Sequence, residues 1–298
     1  MLFLRRAGFG LMVLLASCLG GYSASGQDVG SSQSAGSPTA PATDSNPAPH
    51  GGFTAALSYG SNSSFFGRTQ TTRYPYTAGE LTYKSRFGVW GSAVGYNLLN
   101  TGSTLDETDL SLGWDGDLSK KVDASASYSR FLFAPNSPLV KSSVNNSFDG
   151  YLGWDWGYVY TRLNAAYLFG ETSDGFLVLD NSRNFEFEKV FTAEDYVSIE
   201  PRISATAGTQ RFAETSLVQQ VQRGNGHGNS GNAGKTTTTT TTTTRFQVLN
   251  YELRVPVTYS LGKVSVQVAW RYSIPVNLLP EDASGARSYF TSSLSLNL

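Results

Sequence analysis

Two arginines, Arg254 and Arg271, stand at matching distances on either side of the dipeptide Gly262-Lys263. If that dipeptide is a hairpin loop, the two face each other directly, and like charges so placed repel unless something intervenes. Glu252 is one diagonal step away, and Glu200 and Arg202 have the same parity in the preceding alternating segment. Arg202, Arg254, Arg271, Glu200 and Glu252 therefore form a candidate charged cluster. Asp109, Asp115, Asp123, Asp149 and Asp155 fall on the polar parity of earlier segments and form a candidate acidic wall. Facing an enclosed interior, such groups either select charged solutes or fill the space with ion pairs.

Catalysis has weaker candidates. A hydroxyl or carboxylate mechanism needs a base held on a rigid element. The chain has two histidines, His50 in a Ser/Pro/Ala-rich stretch and His227 in a Gly/Asn-rich one, so no catalytic residue is assigned and an enzyme is not expected. No second ligand lies at a useful spacing from either, and Cys18 is the single cysteine, so neither a metal nor a cofactor is expected. A formal net charge of −1 leaves no footprint for nucleic acid.

The elements that would position the charges are strands. Leu249, Tyr251, Leu253, Val255, Val257, Tyr259 and Leu261 alternate with polar residues, and after Gly262-Lys263 the pattern resumes as Val264, Val266, Val268, Trp270, Tyr272 and Ile274. Period two is the strand period. Glycine at the first loop position marks a type II′ hairpin, which predicts Leu261 opposite Val264 and Leu253 opposite Tyr272. Each arm exceeds the roughly nine to eleven residues that a tilted strand needs to cross a bilayer. Similar arms begin near residues 52, 77, 87, 109, 122, 148, 159, 184, 197 and 286, with a second type II′ turn at Gly157-Tyr158. Residues 170–181 read as a loop. Pro201 and Pro256, inside predicted strands, read as bulges because proline cannot donate to a ladder. Connections after even-numbered strands are short and those after odd ones usually longer. Trp90, Trp114, Trp154, Trp156 and Trp270 read as interfacial girdles.

At the N-terminus, Met-Leu-Phe-Leu-Arg-Arg precedes an uncharged stretch and a small-residue site at Ala24-Ser25-Gly26, the pattern of a secretory signal. The division expected is 1–26 signal peptide, 27–51 flexible periplasmic tether, and 52–298 a barrel with a disordered extracellular loop at 209–245. Processing at Leu15-Ala16-Ser17-Cys18, which would lipidate Cys18, is the alternative. The threonine run 236–244 reads as a solvated extension of a loop, with a glycosylated or adhesive surface as the second reading.

From about residue 52 onward the chain resembles the bacterial outer-membrane β-barrels, on the alternating arms, the short-long rhythm of connections and a last strand with Phe290, Leu294, Leu296 and Leu298 on one face. The resemblance implies an all-β, up-and-down antiparallel transmembrane barrel of about twelve strands, within a range of about ten to fourteen. It also implies residence in the outer membrane with both termini periplasmic, a lipid bilayer around the barrel, and recognition of the last strand by the barrel-assembly machinery. Terminal Leu298 departs from the usual aromatic, and Ser292 interrupts the apolar row. Two functions follow as expectations: a small passive diffusion channel of porin type for polar or charged solutes, or a non-conducting structural or surface-interaction barrel acting through its loops. Oligomeric state is not legible.

Overall fold

The structure, a computed structural model, describes residues 51–62, 66, 75–99, 104–134, 144–209, 245–278 and 284–298. The expected signal peptide, the tether up to residue 50, Cys18, His50, His227 and the threonine run lie outside the described residues.

Among the described residues fourteen strand segments follow one another: β1 (Gly52–Gly60), β2 (Tyr76–Lys84), β3 (Val89–Leu98), β4 (Glu107–Ser119), β5 (Val122–Phe133), β6 (Val144–Asp155), β7 (Tyr160–Gly170), β8 (Ser173–Ser182), β9 (Phe185–Glu188), β10 (Asp195–Ile199), β11 (Arg202–Thr209), β12 (Phe246–Leu261), β13 (Val264–Pro275) and β14 (Arg287–Asn297). From β1 to β8 each pairs antiparallel with the next, β12 to β14 do the same, and β14 returns to β1. β8 pairs with β11 and β11 with β12, which closes the ring.

β9 and β10 are not extra staves. Ser182 pairs with Arg202 and Phe185 with Ile199, in one continuous register, and β12 meets Ile199 at Val257 and Arg202 at Arg254 without a slip. β8 with β9, and β10 with β11, are therefore single barrel strands, and fourteen segments make twelve staves.

The interruption has a local cause. The Glu200 N–H donates to the Pro256 carbonyl at 3.2 Å, and the Pro201 carbonyl accepts from Arg183 at 3.3 Å. Since a residue's N and O point the same way in an antiparallel ladder, Pro256 turns its missing donor toward this gap and Pro201 turns its own toward β9. The expectation of a bulge at each proline is corrected: the register runs through both. The bulge in this pair lies instead between Thr206 and Ala207, with Leu249 as the unmatched residue of β12.

The loop expected at 170–181 is also corrected. It is β8, joined to β7 by Glu171 and Thr172 alone. Its centre reads Phe176-Leu177-Val178-Leu179, apolar on both faces, so the period-two contrast that reveals a half-buried strand is missing.

The β12–β13 hairpin has every partner expected, from Leu261 with Val264 to Leu253 with Tyr272. Gly262 has φ 58° and Gly157 φ 88°, while Lys263 and Tyr158 are not in the positive-φ region, as type II′ turns require. At the second turn, the Gly157 N–H also donates to Asp155 Oδ1 at 2.7 Å.

Alternation sorts the side chains. Leu57, 66 % exposed, and Leu112, 63 %, point outward, while Asn250 at 1 % and Ser273 at 0 % point inward. The structure thus has an apolar exterior, a polar interior, a turn end carrying the short links after even staves together with both barrel termini, and a loop end carrying most of the longer links.

Candidate functional site

The pairing of β11, β12 and β13 sets Arg202, Arg254 and Arg271 side by side in one inward row. Arg202 Nη2 meets Glu200 Oε1 at 2.9 Å, and Arg271 Nε meets Glu252 Oε1 at 3.0 Å. Tyr289 on β14 donates to the other oxygen of Glu252 at 2.8 Å and offers its ring to Arg271, 5.4 Å from the centroid. Arg254 differs from its neighbours. Its Nη2 donates to the neutral amide oxygen of Gln267 at 3.0 Å, and among the described residues no carboxylate pairs with it. Gln267 is itself tied to Thr258 at 3.0 Å. All five expected residues meet, with three guanidiniums set against two carboxylates.

The aspartates do not form one surface. Asp115, near the turn end, pairs with Lys84. Asp123 accepts the Tyr160 hydroxyl at 2.8 and 2.9 Å. Asp149 accepts from Ser147 at 2.5 Å. Asp155 caps the Gly157 turn. Asp109 is buried toward the loop end, next to Glu107 on the same face of β4. Their separation follows from register: they sit at different heights on β4, β5 and β6.

Side chains that sequence reasoning passed over connect these groups. Tyr76 lies within electrostatic reach of Arg254 and Arg271, its ring is 6.1 Å from that of Tyr96, and Tyr96 in turn lies within reach of Asp109 and Glu107. A tyrosine pair thus spans the interval between the basic row and the buried acids. On the other side, Asp180 accepts from Arg162 at 3.3 Å, Asn164 at 2.8 Å and Ser204 at 2.6 Å. Strand parity marks all of these as inward once β8 is recognised as a strand.

One girdle residue is corrected. Trp90 points inward over Gly113, where a Cβ would stand 2.6 Å from the ring. Trp114, Trp154 and Trp156 are exposed, and Trp154 stacks on Trp156 at 5.3 Å.

A closed antiparallel ring with a continuous apolar exterior and a charged, hydrogen-bonded interior inverts the layout of a water-soluble protein and pairs each barrel strand on both sides. The architecture is that of the bacterial outer-membrane β-barrels. No family model matches the chain, and no curated protein matches it. Among solved structures it is similar to the NanC porin (TM-score 0.45, 9 % identity, 83 % of this chain and 100 % of that one). It is also similar to the KdgM porin (0.45, 7 %, 83 % and 99 %) and to LpxR from Salmonella typhimurium (0.49, 8 %, 82 % and 99 %). The architectural assignment rests on the ring and its two faces.

Proposed function

We propose that the protein is a passive, non-catalytic outer-membrane channel for small polar or charged solutes, with a preference for anions set by Arg254. The observation that carries this reading is the row Arg202, Arg254, Arg271, in which, among the described residues, the middle guanidinium alone has no carboxylate paired with it. An enclosed cation with a neutral partner is costly, and an anion entering the interior relieves that cost. Twelve staves make a ring wider than the eight-stranded barrels that side chains fill, and narrower than the sixteen-stranded porins. In this reading the turn end, with Gly52 and Leu298, is periplasmic, the apolar belt meets lipid, and β14 with Phe290, Leu294 and Leu296 outward is what the assembly machinery recognises.

Planar-bilayer recording of the purified barrel tests it. Discrete conductance steps with anion preference are expected, and Arg254→Gln should lower that preference while the barrel still shows heat-modifiable gel migration. An unaltered preference in Arg254→Gln removes Arg254 as the selecting group. Absence of any steps from wild type favours the non-conducting barrel.

A further inference from the structure

At the turn end the eighth and ninth staves outgrow their neighbour. β7 starts at Tyr160, whose partner is Ser182, so β9 (Phe185–Glu188) runs beyond it and, among the described residues, pairs on one edge only, with β10. All four of its residues are exposed. The Lys189 N–H donates to Asp195 and the Arg183 N–H to Pro201, so odd-numbered residues spend their backbone groups on β10. The N–H and C=O of Glu186 and Glu188 therefore face the free edge.

We propose that this edge is a docking site for an extended segment of a partner protein in which basic residues alternate with apolar ones. The backbone supplies ladder bonds, and the side chains supply the choice of partner. Phe185 and Phe187, 40 % and 52 % exposed, lie on the outer face, and Glu186 and Glu188 on the inner one. An added strand in the matching register meets two carboxylates on one side and two phenyl rings on the other. The hairpin is preorganised: Asp195 accepts from the N–H groups of Phe191 at 3.0 Å and Thr192 at 2.9 Å, and from the Tyr259 hydroxyl at 3.1 Å. A second copy of the same edge is disfavoured, because aligned faces would put glutamate against glutamate. Lipid is disfavoured because acyl chains cannot pair with the free backbone groups. Of the devices that blunt an exposed edge, β9 has short length and the inward-pointing Glu186 and Glu188 but no lysine, proline or bulge within Phe185–Glu188, so the edge admits a strand that brings cations to those carboxylates.

The test uses the full-length barrel in lipid nanodiscs, which expose both ends, and a dye-labelled peptide of alternating lysine and valine read by fluorescence anisotropy. Saturable binding is expected. Glu188→Pro removes a donor from the free edge alone and should weaken binding by about tenfold, more than Glu188→Gln, which removes the charge and keeps the donor. Reversal by Glu186→Lys with Glu188→Lys should transfer binding to an alternating glutamate and valine peptide, and this pair leaves the backbone untouched. Equal binding by wild type and Glu188→Pro overturns the proposal, as does failure of the reversed pair to switch peptides. Absent peptide binding together with quenching of a probe at position 187 by brominated lipid overturns it in favour of a membrane contact.

Discussion

Phe66 lies face to face with Phe176, 3.8 Å between ring centroids and 5° between planes. Phe66 belongs to the link between β1 and β2, and Phe176 to β8, with several staves between them either way round the ring. The ring of Phe66 therefore reaches across the interior at the loop end, where Val144, Leu168 and Leu249 complete an apolar cluster. Leu249 is available because the bulge in the β11–β12 pairing leaves it unmatched.

A double-mutant cycle on Phe66→Ala and Phe176→Ala should give a coupling of about 1 kcal/mol in urea unfolding of the detergent-solubilised barrel. If solutes pass on this side of the interior, Phe66→Ala should also raise single-channel conductance. A coupling of zero would mean that the two rings do not meet in the folded barrel.

The prolines yield a contrast between adjacent residues. Pro256 faces the gap at Glu200 and Pro201, whereas Val257 directs its backbone groups to Val268 of β13. Pro256→Ala should change stability by less than about 0.5 kcal/mol. Val257→Pro, one position on, should cost about 1 to 3 kcal/mol by removing a ladder donor and leaving its acceptor on β13 unpaired. Comparable unfolding midpoints for the two variants would contradict this assignment of backbone direction.

These positions also show what the sequence could and could not reveal. The β12–β13 register was legible because apolar and polar residues alternate without a break and Gly262 fixes the loop, so Arg254 opposite Arg271 followed by counting. β8 was illegible because its inward residues Phe176 and Val178 pack in a cluster that includes Phe66, from a link more than a hundred positions earlier, and no local pattern carries that information. Trp90 was misplaced for a related reason: Gly88, Gly91 and Gly95 blur β3, and the cavity that receives the indole is made by Gly113 on β4. Pairing of Glu252 with Arg271 followed from diagonal reach, but the insertion of Tyr76 and Tyr96 depends on the curvature of the closed ring.

Gly262 and Gly157 isolate the energetics of the turns. A Cβ at either would meet no atom within 4 Å, so alanine there is penalised by positive φ alone. Gly262→Ala and Gly157→Ala should each cost about 1 to 2 kcal/mol, measured by equilibrium unfolding. A larger loss would point to an altered β12–β13 or β6–β7 register.

Arg254 and Arg271 face each other, yet their removal should have opposite consequences. Arg271 neutralises Glu252, whose side chain is 10 % exposed; Arg271→Gln leaves that carboxylate with Tyr289 as its remaining partner. Breaking a buried pair from one side costs about 3 kcal/mol or more. Arg254 has a neutral partner and two like-charged neighbours in its row, so Arg254→Gln removes repulsion and should leave stability equal to or above wild type. The double change should fall close to Arg271→Gln alone. Urea midpoints of the three variants, read from heat-modifiable migration, check the order. If Arg254→Gln proves as damaging as Arg271→Gln, the two guanidiniums share the carboxylates between them, and the uncompensated charge assigned to Arg254 is spread along the row.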